Sequence, residues 1–153
     1  MTIRIRDAEP ADAGLIAEFN RLLAAESEDI TLAPDTVAAG VATLLADPSL
    51  GRYWLAELDG ETVGQIMITR EWSDWRNGML WWIQSVYVHP DVRGRGVFSA
   101  LYRHVERLAR ETAGICGLRL YVDDRNERAR RVYEAMGMTD GGYRVMEDIF
   151  DDH

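Results

Sequence analysis

The chain has 153 residues, 47% of them hydrophobic and 28% charged, which is enough for one well-filled core and too few for two ordinary domains. Its net charge of −9 argues against a nucleic-acid partner, a single cysteine excludes an intrachain disulfide, and three histidines give no metal-ligand spacing. The amino terminus is charged from its fourth residue and no stretch approaches a membrane span, so the expectation is one domain over 1–153 in the cytoplasm, without a membrane or metal.

In chain order, Thr2 to Arg6 alternates as a first strand. Pro10 opens a helix whose apolar positions Leu15, Ile16, Phe19, Leu22 and Leu23 recur at helical spacing. After an acidic turn over Glu26 to Asp29, a second helix runs from Pro34 to Asp47-Pro48 with Val37, Val41, Leu44 and Leu45 on one side. Arg52 to Leu58 and Thr62 to Thr69 read as strands joined by the turn pair Asp59-Gly60. A tryptophan-rich loop from Glu71 to Gly78 then leads to a fourth strand, Leu80 to Val88. Val97 to Thr112 is the third helix, with Val97, Leu101, Val105 and Leu108 on its stripe, and Leu118 to Val122 is a strand parallel to the one before that helix. Arg125 to Met136 is a fourth helix, and Tyr143 to Phe150 a last strand.

Between the fourth strand and the third helix lies Arg93-Gly94-Arg95-Gly96-Val97-Phe98-Ser99. Glycines there let the backbone turn tightly and approach a ligand, and the first N–H groups of the helix point outward with the positive end of its dipole. Two arginines add donors that match phosphate oxygens. Although the chain is acidic, Asp91 to Arg131 holds ten arginines against six carboxylates. A cationic segment around a glycine loop suits a discrete polyanion; as a bare motif, the loop also has an ordinary reading as a surface turn.

The element order and two motifs resemble the GNAT superfamily of acyl-CoA-dependent N-acyltransferases over essentially the whole chain. Arg93-Gly94-Arg95-Gly96-Val97 matches the acyl-CoA signature through its fifth position, and Phe98 departs from the small residue of the sixth. Asn126, Ala129 and Tyr133 match a second signature on the last helix. The resemblance implies a mixed α/β, three-layer fold with four helices. Its central sheet of six to seven strands is mostly antiparallel, and the fourth and fifth strands splay apart. It implies acetyl-CoA as co-substrate, with backbone near Val86 and Val88 pairing the pantetheine amides. Arg93, Gly94, Arg95 and the amides of Gly96, Val97, Phe98 and Ser99 hold the pyrophosphate, and Asn126 bonds the pantetheine arm. Tyr133 stands near the sulfur, where a phenol, protonated at neutral pH, can serve the departing thiolate.

Each of these side chains also has a structural reading. Asn126 can cap its helix, Tyr133 shares a stripe with Ala129, Val132 and Met136, and Gln84 can bond across the sheet instead of orienting a water or substrate. No carboxylate stands on Leu80 to Val88, so Glu71, Asp74, Glu26 and Glu28 are the nearby candidates for a base or a cation binder. Trp72, Trp75, Trp81 and Trp82 suit an aromatic acceptor pocket or a homodimer surface, and Trp81 and Trp82 should face opposite sides of the sheet. The expected activity is transfer of an acetyl group to the primary amine of a small molecule, a polyamine-like or amino-sugar one over an acidic one on the strength of the acidic surface and the tryptophan-rich segment Glu71 to Trp82. The alternatives are an acyl-CoA-binding module without catalysis and an acetyltransferase of protein amino termini or lysines.

Overall fold

A computed structural model describes residues 2–150, which divide into two compact units, one reaching Tyr121 and a smaller one starting at Val122. The first contains β1 (Ile3–Asp7), α1 (Ala13–Glu28), α2 (Pro34–Ala46), β2 (Arg52–Leu58), β3 (Glu61–Ser73), β4 (Gly78–Val88), α3 (Val97–Glu111) and β5 (Ile115–Leu120). The second contains α4 (Glu127–Ala135).

The five strands stand in the order β1-β2-β3-β4-β5, the first four antiparallel and β5 parallel to β4 through the α3 crossover. Period two sorts the side chains onto two faces. On one, Trp54, Ile66, Ile68, Trp81 and Ile83 are buried together with the α3 stripe of Val97, Leu101, Val105 and Ala109. Tyr53 and Leu55 face the other way and pack with Ile16, Ala17 and Val41 of α1 and α2. These helix, sheet and helix layers are the expected mixed three-layer fold. Trp81 packs on Trp54, with ring centroids 6.1 Å apart, whereas Trp82 lies on the opposite face against Tyr121, so the two tryptophans do separate.

Several expectations need correction. Residues 143–150 form no strand: the pattern over Val145-Met146-Glu147-Asp148 breaks period two, and a strand exists only where a partner completes its ladder. The sheet therefore has five strands among the described residues rather than six or seven. Glu71 and Trp72 belong to β3, because the Asp74 to Asn77 turn, with Asn77 in the left-handed region at φ 49°, closes a longer hairpin than the aromatic loop suggested. Leu15 and Leu22 are exposed, and Ala17 and Ala24 take the inward positions, so α1 is turned slightly from its expected face. No helix among the described residues is long and apolar enough to cross a membrane.

An ion-pair cluster fixes the start of α1 to the sheet. Arg6 donates to both carboxylate oxygens of Asp12 at 2.9 Å and through Nε to Glu57 at 3.0 Å, while Asp12 also accepts the Glu9 amide at 2.7 Å. Asp12 is held below its ordinary carboxylate value, chiefly by the Arg6 hydrogen bonds.

Candidate functional site

β4 carries two irregularities, one in its pairing with β5 and one in its pairing with β3. β5 pairs with it only from Met79 to Ile83, leaving Gln84 to Val88 without a β5 partner. The strands splay there, as the resemblance implied. The His89 N–H donates to the Val63 carbonyl on β3, so alternation turns the backbone groups of Val88, and those of Val86, toward the opening. A bulge sits in the same stretch: Gln65 faces Tyr87 and Met67 faces Gln84, so Ser85 and Val86 together oppose Ile66. Ser85 takes φ 51°, a left-handed conformation that costs a non-glycine residue about 1 kcal/mol and marks a place where the chain is held for a reason.

The glycine loop follows. Gly94 and Gly96 have φ of 82° and 86°, and Gly96 is the N-cap of α3. A Cβ built on either glycine would meet nothing within 4 Å. The Ala100 amide bonds back to Gly96, and the amides of Val97, Phe98 and Ser99 precede the first intrahelical bond, so they point outward beside open space. Phe98 lies against Tyr102, ring centroids 6.0 Å apart. Arg95 is exposed and makes no ion pair among the described residues. Arg93 is different: it pairs with both oxygens of Glu26 on α1, at 2.6 and 2.9 Å, donates through Nε to the Val88 carbonyl at 3.0 Å, and lies over the Tyr87 ring. Glu26 is held below its usual value, first by the hydrogen bonds from Arg93. This carboxylate thus anchors the arginine and gives no sign of being a base.

Gln84 bonds across the sheet, Nε2 to Thr69 Oγ1 at 2.5 Å. Glu71 accepts from Trp82 Nε1 at 3.0 Å and from Arg119 at 2.7 Å, which hold it ionised and already paired. Trp72 and Trp75 are exposed at the hairpin end.

A polar chain unannounced by any motif lies on the α1–α2 side. Gln65 is fully buried, and its Nε2 donates to the Ser85 carbonyl at 3.0 Å and to Asn20 Oδ1 at 2.8 Å. Asn20 Nδ2 in turn donates to the Tyr53 hydroxyl at 3.0 Å. Burial pushes the Tyr53 phenol above its ordinary value, outweighing the opposite pull of Asn20 and Ser85. Gln65 Oε1 is left without a partner among the described residues, a cost of about 1–3 kcal/mol that fixes rather than frees the amide's orientation. Asn20, Tyr53 and Ser85 border an open cavity of about 200 Å³ whose remaining wall is Val37, Gly40, Val41, Leu44 and Met67. The signal in the sequence was Gln65 within an apolar strand and Asn20 beside the buried stripe of α1, neither of which names its partner.

In the smaller unit, Asn126 caps α4 by accepting the Ala129 amide at 3.0 Å. At the other end Gly137, φ 104°, closes the helix with its N–H on Glu134 and that of Met138 on Tyr133. Tyr133 and Ala129 are half-buried and Asn126 is exposed.

A splayed parallel strand pair, a bulge beside it and a glycine-capped helix at its end together define an acyl-CoA-binding acyltransferase fold, and the chain belongs to the acetyltransferase (GNAT) family, whose model matches residues 17–138. It is similar to thialysine N-epsilon-acetyltransferase of Bos taurus, 29% identical with 90% of this chain and 85% of that one covered. Among solved structures it is similar to a possible acetyltransferase from Clostridium difficile 630, 39% identical at a TM-score of 0.91, covering 98% of this chain and 99% of that one. It shares its fold with a predicted acetyltransferase with acetyl-CoA from Clostridium acetobutylicum, TM-score 0.79, 19% identical and 96% covered in both chains.

Proposed function

We propose that this acetyltransferase acts on the primary amine of a small molecule by direct attack, with both substrates bound and no covalent enzyme intermediate. Acetyl-CoA supplies a thioester whose acyl carbon takes the amine nitrogen, the C–N bond forming as the C–S bond breaks. The observation that carries the reading is the pairing of an unfilled β4 edge with an open, glycine-capped helix start. Backbone groups of Val86 and Val88 pair with the pantetheine amides as an added strand would, the Val88 carbonyl accepting on its second lone pair beside Arg93 Nε–H. The amides of Gly96, Val97, Phe98 and Ser99, approached over Gly94 and joined by Arg95, hold the pyrophosphate. Arg93 contributes once Glu26 yields its guanidinium, and until then it braces the loop. Asn126 bonds the pantetheine arm with what its capping role leaves over. Tyr133 gives its phenolic proton to the departing sulfur.

On the amine side, β4 has no carboxylate. The nitrogen's proton therefore passes to water, with Gln84, held by Thr69, a candidate to orient it. A coenzyme A release assay across an amine panel tests the proposal. Release with at least one primary amine is the expected result; saturable acetyl-CoA binding without release from any amine would favour a binding module.

A further inference from the structure

We infer that the cavity between α1, α2 and the bulge of β4 is the acceptor pocket, and that it selects an amine with a compact, uncharged body carrying one hydrogen-bond-accepting oxygen. The inference rests on the acetyl-transfer reading and specifies its second substrate.

Direction in the hydrogen-bond chain is the first argument. The Ser85 carbonyl can only accept, so the group of Gln65 facing it must be its NH₂. The same NH₂ meets Asn20, which therefore presents Oδ1 there and turns Nδ2 to Tyr53. The Tyr53 oxygen is thus already an acceptor. Tyr53 and Ser85 hold two hydroxyl protons between them, and a bond between the pair can take up no more than one. One proton remains for the cavity that both residues border. A ligand that fits must offer an oxygen or comparable acceptor to that donor.

Charge and size give the rest. None of the residues bordering the cavity is ionised, so a polyamine or an amino sugar with a second ammonium would have no counter-ion there. Of the four carboxylates considered for such a cation, Glu26 is committed to Arg93 and Glu71 to Arg119 and Trp82, and neither Glu28 nor Asp74 borders the cavity. A volume of about 200 Å³ exceeds the roughly 150 Å³ that holds a benzene, so the cavity has room for a single six-membered ring. Because Ser85 adjoins Val86 at the bulge, a molecule in the cavity lies beside the strand edge assigned to the pantetheine arm. Cavity and cofactor edge therefore share one irregularity.

The test titrates two near-isosteric amines, 2-phenoxyethylamine and 3-phenylpropylamine, with spermidine and glucosamine for comparison, into the protein with and without saturating coenzyme A. The phenoxy compound should bind about tenfold tighter than its carbon isostere and at least as far ahead of both polar amines. Tyr53→Phe combined with Ser85→Ala, which removes both hydroxyls, should abolish the gap within the isosteric pair while leaving coenzyme A affinity unchanged. Gly40→Leu keeps the test decisive if that double variant does not fold: Gly40 is on the cavity stripe of α2, a Cβ there meets nothing within 4 Å, and leucine is the better helix former. It should weaken both isosteric amines at least tenfold without lowering the melting temperature. Tighter binding of spermidine or glucosamine, an isosteric gap that survives the loss of both hydroxyls, or amine affinity untouched by Gly40→Leu would each overturn the inference. Coenzyme A release measured on the same panel reports separately on acetyl transfer, since amines that bind without release would fault that reading and leave the pocket standing.

Discussion

Replacing Gly96 with alanine separates what the loop contributes to folding from what it contributes to binding. At φ 86° an L-residue is strained by about 1–2 kcal/mol, and since the new Cβ would meet nothing within 4 Å, no clash adds to that. For a chain of this size the loss corresponds to about 2–8 °C in melting temperature. Binding should suffer more. Phosphate oxygens must come to about 2.9 Å of the helix amides, and a methyl group in that open space, with the relaxation of the left-handed turn, removes one or two charge-assisted hydrogen bonds. A loss of about 3 kcal/mol is roughly a hundredfold in dissociation constant. Gly60→Ala is a matched control, at φ 88° in the β2–β3 turn and equally uncrowded, with the same strain and no amides to offer a ligand. Calorimetric titration with acetyl-CoA and circular-dichroism melts of both variants decide the matter. Unchanged affinity in a folded Gly96→Ala protein, or equal weakening by Gly60→Ala, would refute the assignment of the pyrophosphate to this loop.

Tyr133→Phe should lower turnover by roughly 10²–10⁴-fold and leave acetyl-CoA affinity nearly unchanged, measured by steady-state kinetics beside calorimetry. Glu26→Gln should release the Arg93 guanidinium and tighten acetyl-CoA binding several-fold, an effect that fades at high salt, whereas Arg93→Ala should weaken it. Asp12→Asn should cost about 1–2 kcal/mol at pH 7 in chemical denaturation. Because Asp12 titrates below its usual 3.8 when folded, its contribution is complete above the unfolded value and drains away as pH falls through the folded one, so wild type and variant should converge below about pH 4.

Helix and strand identity were legible wherever burial imposed one period. Pro34 as the start of α2, Arg52 to Leu58 as β2 and Val97 as the start of α3 all match, because a proline, a turn pair or a glycine marked each boundary. The splay of β4 from β5 came from the resemblance; no local pattern says where pairing stops. Pairing also decided the failure at 143–150, where β-prone residues alone supply no ladder partner. Within the candidate site, the glycine loop was legible since positive φ is written in glycine. Arg93 was legible as a cation, but its bond to Glu26 joins residues 67 apart in the chain, a distance over which composition carries no information. The Gln65, Asn20 and Tyr53 chain was hidden for the same reason, with separations of 45 and 33 residues.

The unpaired length of β4 also bears on how the protein survives in a cell. An open strand edge inside a sheet is a template for any extended chain, and the proposed pairing with pantetheine would close this one. A co-substrate that binds the folded protein alone adds about 2.7 kcal/mol at a hundred times its dissociation constant. That increment is a sizeable share of the stability of an ordinary domain. The supply of co-substrate would then set abundance as well as rate, copies made when it is scarce being the first to aggregate or be degraded.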